Sequence, residues 1–189
     1  MNSGQTVLVI LAMMLLGTLS LSVNRALISS STTSLEMEAS LDALSYGQSM
    51  LDEIPNHAFD QKTTGGAKVF NYIDMTRPNR LGPETSLYET ISFPDTLKNG
   101  LFASDTVYND VDDYKGYQRR ITNPRLGYFN INDSVCYVSE NDPDSVNNAS
   151  ATFQKRITVV ITCPYLPKDA SGKLIPLVMR DLAIYRRYF

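Results

Sequence analysis

The densest group of chemically capable side chains in this 189-residue chain is the stretch ASDTVYNDVDDYKGYQRRI. It places Asp105, Asp110, Asp112 and Asp113 ahead of Gly116. Carboxylate-rich loops offer the hard oxygen ligands that Ca²⁺ takes, so Asp110, Asp112 and Asp113 are the candidate Ca²⁺ loop. The spacing is not that of an EF-hand, because Tyr114 stands at the third oxygen position and no Glu follows in register. The plainer reading is a solvated loop whose Asp side chains form turns, with Tyr114 and Tyr117 anchoring it by packing. No other cofactor is expected.

The chain has two cysteines, Cys136 and Cys163, both within alternating stretches, VCYVS and VVITCPYL. Outside the cytoplasm a bridge between neighbouring strands is one reading; two separate buried thiols are the other. The single histidine, His57, has no nearby Cys or second His and reads as a surface or packing residue. A histidine metal site or a Ser-His-Asp triad is therefore poorly supplied, and no catalytic residues are expected. A net charge of −3 and a pI of about 5.1 leave no basic footprint for nucleic acid.

The elements that must position these groups begin with GQTVLVILAMMLLGTLSLSVNRALIS, which has no charge before Arg25. An uncharged run of roughly 20 residues is long enough to span a bilayer as a helix. Met1 to Gly4 carries no Lys or Arg, unlike a secretory signal. The helical pattern also continues past Arg25 to Pro55. Leu35, Leu41, Leu44, Gln48, Leu51 and Ile54 recur at helical spacing and define the expected inner face. One helix from Gln5 to Ile54 would measure ~75 Å at 1.5 Å per residue. Ser29 to Ser34, all hydroxyl residues, and Gly17-Thr18 are the expected soft points, as kinks or, for the former, a linker.

From His57 to Leu101 turn formers dominate, with short β-like pieces in VFNYIDM and LYETISF. The clearest strands are LGYFNINDSVCYVSE, TFQKRITVVITCPYL and KLIPLVMRDLAIYRRYF. Ile157, Val159 and Ile161 are expected on one face, and Lys155, Thr158 and Thr162 on the other. PDSVNNAS is expected to be a turn-rich connection, and LPKDASG a hairpin loop ending at Gly172. The fold class is α+β: a long N-terminal helix, apolar in its outer half and amphipathic in its inner half, packed on a C-terminal antiparallel sheet. Residues 1–33 form the apolar helix. Residues 34–189 form the globular domain, with helix 34–54, variable loops 55–125 and sheet 126–189.

This plan resembles that of type IV pilins and type II secretion pseudopilins. GQTVLVILAMMLLG is similar to the apolar segment after their prepilin cleavage glycine. ALSYGQSMLDEI, NDVDDYKGYQ and the pair KRITVVITCPYL and LVMRDLAIYRR are similar, in that order, to the helix end, acidic loop and closing hairpin of minor pilin-like members. The resemblance implies processing by a prepilin peptidase at Gly4, leaving Gln5 first. Val9 then stands where the family carries Glu, and if Met1 is first, Gln5 takes that place.

The resemblance implies a structural subunit of a pilus or secretion pseudopilus. It would wait in the inner membrane and then join copies of itself or other pilin-like subunits in a filament in the periplasm or at the cell surface. Dedicated assembly machinery is implied as a partner. Val7, Leu8, Ile10, Leu11, Leu15, Leu16 and Leu19 are the expected filament core. The alternative is a single-pass membrane-anchored periplasmic binding module that does not polymerise.

Overall fold

The computed structural model describes residues 3–85 and 89–186. Helix α1 spans Ser3–Glu53, and Pro55 in the short 3₁₀ turn that follows ends it. The chain divides into two units, residues 1–38 and 39–189.

In the first unit the described residues are helical, including Ser29 to Ser34 and Gly17-Thr18. The hydroxyl run is helical throughout and not a linker loop, and two of its hydroxyls bond back into the helix. Thr32 and Thr33 both donate from Oγ1 to the Ser29 carbonyl, at 2.9 and 3.0 Å, and Thr18 donates to the Leu15 carbonyl at 3.0 Å. Val7, Leu8, Ile10, Leu11, Leu15, Leu16 and Leu19 are all exposed. The segment is long and apolar enough to cross a membrane.

The second unit is a six-stranded sheet backed by the end of α1. The strands are β1 (Asp95–Thr96), β2 (Gln118–Asn123), β3 (Gly127–Ser139), β4 (Asp142–Val146), β5 (Gln154–Thr162) and β6 (Leu177–Ile184). Their order is β1-β2-β3-β5-β6, with β4 folded back onto the end of β3. β1 runs parallel to β2, and the other pairs are antiparallel. The fold is α+β, as the sequence predicts. The expected strands correspond to β3, β5 and β6. Gly172, with φ 82°, closes the hairpin loop before β6 by donating to the Asp169 carbonyl.

Three expectations are corrected. VFNYIDM forms a 3₁₀ turn at Tyr72–Asp74 rather than a strand; LYETISF begins within residues 86–88, outside the described residues. PDSVNNAS contributes to β4, a strand hidden by its polar, exposed composition. The inner face of α1 and the turn after it is only partly the expected stripe: Leu51 and Ile54 are buried as expected, and Gln48 is exposed. Leu41 and Leu44 are exposed at 67% and 48%, whereas Ala39, Ala43, Gly47, Met50, Leu51 and Ile54 are buried.

Close approach to the sheet selects this face. A Cβ on Gly47 would stand 2.4 Å from Met179 Sδ and 2.9 Å from Ile161 Cδ1, so the helix rests on β5 and β6 through small residues. Tyr46 packs edge-on against Phe129 of β3, with ring centroids 5.1 Å apart. Phe129, Ile131, Val135, Ile157, Val159 and Ile161 complete the apolar core.

Period-two geometry also reassigns Lys155. It lies on the same face of β5 as Ile157, Val159 and Ile161 and is fully buried. An ammonium on an apolar face must find anionic partners there, and this one does.

Candidate functional site

Lys155 organises one polar nucleus. Its Nζ donates to Asp112 Oδ1 at 2.5 Å, to the Phe59 carbonyl at 2.6 Å and to Asp60 Oδ2 at 3.3 Å. It also lies 4.5 Å from the Phe59 ring centroid and 5.2 Å from that of Tyr137. Asp60 caps the 3₁₀ turn Gln61–Gly66, where its side chain accepts from the Lys62 amide. It also accepts from the Thr76 amide and hydroxyl and from the Tyr137 hydroxyl. Burial alone would raise this carboxyl. The Lys155 ammonium and these hydrogen bonds outweigh burial and hold it below its usual 3.8.

A second nucleus ties the end of α1 to β2. Arg119, the inward residue of β2, grips Glu53 with both ends of its guanidinium, Nη1 to Oε2 at 2.8 Å and Nη2 to Oε1 at 2.7 Å. It also donates to Ser104 Oγ and to the Tyr117 hydroxyl, and its guanidinium lies 3.9 Å from the Phe102 ring centroid. Tyr117 donates to Asp95 Oδ2 at 2.7 Å, and Asp95 accepts from the amides of Ala103 and Ser104 at the start of α2 (Ser104–Val107). His57 is a packing residue here, with Nε2 3.1 Å from the Tyr114 hydroxyl, which itself donates to Glu53.

Asp133 on β3 is buried nearby, and neither of its oxygens has a hydrogen-bond partner. Burial pushes its carboxyl up to about 8; Arg119 pulls it down and Glu53 pushes it up. Tyr108 also faces it electrostatically. Because the folded value exceeds the unfolded one, the protonated form contributes stability that is lost as pH rises from about 4 through about 8. Asp133→Asn should remove one proton from that dependence. The mutant-minus-wild-type stability difference should then climb by about 1.4 kcal/mol per pH unit between pH 5 and 7, read from denaturant unfolding curves.

Beside the Lys155 nucleus sits the acidic loop, and it is not solvated. Asp110, Asp112 and Asp113 are fully buried. Each satisfies one oxygen locally. Asp110 Oδ1 accepts from the Asp112 amide at 2.8 Å, and Asp113 Oδ2 accepts from the Asn109 amide at 2.9 Å. Asp112 Oδ1 takes the Lys155 ammonium. The other oxygen of each, Asp110 Oδ2, Asp112 Oδ2 and Asp113 Oδ1, has no partner.

Two further carboxylates that the sequence did not flag close over these oxygens. Glu84 contributes an oxygen to a group with Asp110 and Asp112, and to another with Glu89 and Asp113. Within each group the oxygens lie within 4.8 Å of one another. Glu89 is buried, accepts from the Glu84 amide at 3.0 Å and also takes the Asn109 side-chain amide. The crowding is electrostatically severe. Burial first, then neighbouring carboxylates, pushes Asp110 up to about 9 and Glu84 to about 8; Asp113 rises to about 6, chiefly by burial. Hard oxygen donors in this density suit a divalent cation of the Ca²⁺ type.

Asp105 lies apart from this group. It accepts from the Phe102 amide and stands 3.9 Å from Arg119. Tyr114 and Tyr117 anchor the loop as expected, packing edge-on against each other and against Tyr108.

The cysteines do not bridge. Cys136 is opposite Arg156, whereas Cys163 follows Thr162, which is opposite Asn130. That register separates them by ~20 Å along the strands, against the roughly 6 Å between Cα atoms that a bridge needs. Both are free thiols.

Gly4 and Gln5 lie in the first turns of α1 and are exposed. Comparison with protein-family models, with curated proteins and with solved structures returned no match to this chain.

Proposed function

We propose that this chain is a structural subunit of a pilin-like filament, held in a membrane by the apolar part of α1 before assembly. One observation carries the reading. α1 is apolar and exposed over the filament-core residues Val7 to Leu19, while its last turns form the backing of a folded domain. So large an exposed apolar surface requires lipid or protein around it. The polar clusters described above tie elements of the domain together, and the reading asks no catalysis of them.

Cross-linking tests this reading against a non-polymerising, membrane-anchored module. Leu16→Cys in a Cys136→Ser background leaves one accessible thiol per chain, because Cys163 is buried, and should give a covalent dimer in intact cells treated with a membrane-permeant bismaleimide. Monomer alone, at normal expression, would sink the filament reading and leave the anchored module.

A further inference from the structure

We propose that Glu84, Glu89, Asp110, Asp112 and Asp113 form a Ca²⁺ site that fastens the segment carrying Glu84 and Glu89 to the loop between α2 and β2. The proposal stands independently of the filament reading.

Five carboxylates from two separate segments converge, and Glu84 is common to both oxygen groups. Ca²⁺–oxygen distances run about 2.3–2.6 Å, so ligands across one ion stand at most ~5 Å apart. The 4.8 Å limit on each oxygen group falls inside that span.

Asp110, Asp112 and Asp113 are at 0% exposure, yet each keeps one oxygen without any hydrogen-bond partner. Glu84 Oε2 and Asn109 Oδ1 are likewise unpartnered. Tyr108, 4% exposed, has an unpartnered hydroxyl that feels Asp113 more strongly than any other charge. Buried polar atoms in folded proteins are almost always satisfied. A single cation on the orphaned oxygens satisfies several of them together.

Lys155 is the one cation bonded to these side chains among the described residues, and it already serves Asp60 and Asp112. A divalent ion supplies the missing positive charge. The donor set is all oxygen and irregular, drawn from two loops. That favours Ca²⁺, with its six to eight flexible ligands, over Mg²⁺, which demands a near-ideal octahedron at about 2.1 Å.

The test is thermal unfolding of the full chain in detergent after chelation with EDTA and dialysis. Millimolar CaCl₂ should raise the wild-type midpoint by at least about 5 °C, and equal MgCl₂ should raise it far less. Glu84→Gln neutralises the carboxylate common to both groups without touching the Lys155 nucleus. It should melt at or above the wild type without Ca²⁺ and lose most of the Ca²⁺ gain. Asp113→Asn keeps the local amide acceptor and should lose the gain in the same way. A wild-type midpoint indifferent to CaCl₂ overturns the proposal. So does an equal gain in both variants, which would mean an adventitious ion only. An equal response to MgCl₂ overturns the Ca²⁺ assignment.

Discussion

Lys155→Met should destabilise the folded domain by about 3–5 kcal/mol, the cost of stranding buried charge. The aliphatic stem is replaced at nearly equal volume, so little packing is lost. What disappears is the ammonium that sits on Asp112, Asp60 and the Phe59 carbonyl. Asp60 keeps its Thr76, Lys62 and Tyr137 donors, whereas Asp112 Oδ1 is left with none among the hydrogen bonds described above. Against a typical total of 5–15 kcal/mol, such a loss takes a large share of the domain's stability.

The sign of its pH dependence follows from the same contacts. In the wild type Asp60 is held below 3.8, so its ionised form adds stability above about pH 4. Without the ammonium, the burial that opposes the lowering at Asp60 is less well offset, and the variant loses stability that the ionised Asp60 adds in the wild type. The gap between variant and wild type should therefore widen from pH 4 to pH 8. Guanidinium unfolding of the full chain in detergent measures it. A gap below about 1 kcal/mol at pH 7 would show that Lys155 does not hold this nucleus together.

The second large effect is expected at the opposite end of the chain. Leu15→Asp places a charge within the apolar helix at a cost of about 3 kcal/mol per residue at the centre of a membrane span. Leu15 is 71% exposed, so the substitution removes little packing within the chain. The domain from Ala39 onward should keep its wild-type melting midpoint. Recovery in the carbonate-resistant membrane fraction and in filaments should fall at least tenfold. Loss of the domain's melting transition instead would mean that the apolar helix is needed to fold it.

What the sequence shows and what it conceals follow the chemistry of each element. β3 and β5 alternate Phe, Ile, Val and Tyr with polar residues, and β6 does so more loosely; all three were legible. β1 and β2 lie within 55–125, the stretch expected to be variable loops; β2 escapes pattern reading because its inward residue is Arg119, whose partner Glu53 lies 66 positions away. The inner face of α1 was assigned to leucines because periodicity weighs apolar bulk. The true face is chosen by clearance, through Ala39, Ala43 and Gly47, and leaves Leu41 and Leu44 outside. Lys155 is expected opposite Ile157, yet strict period-two alternation puts the two on one face.

The acidic loop shows the same limit at the site itself. Asp110, Asp112 and Asp113 stand out as a group, but a loop rich in Asp reads as solvated unless its cover is known. That cover includes Glu84 and Glu89, more than twenty positions upstream, whose approach depends on tertiary structure alone. No local signal in the sequence links the two segments.

The central claim is that the apolar part of α1 joins copies of this chain into a filament. Quantitative mass spectrometry of filaments sheared from cells, compared with the membrane fraction of the same cells, tests it most directly. The account predicts that wild-type chain is enriched in the sheared filaments and that the Leu15→Asp chain is absent from them. Wild-type chain confined to the membrane fraction, with none in sheared material from cells that bear filaments, would contradict it.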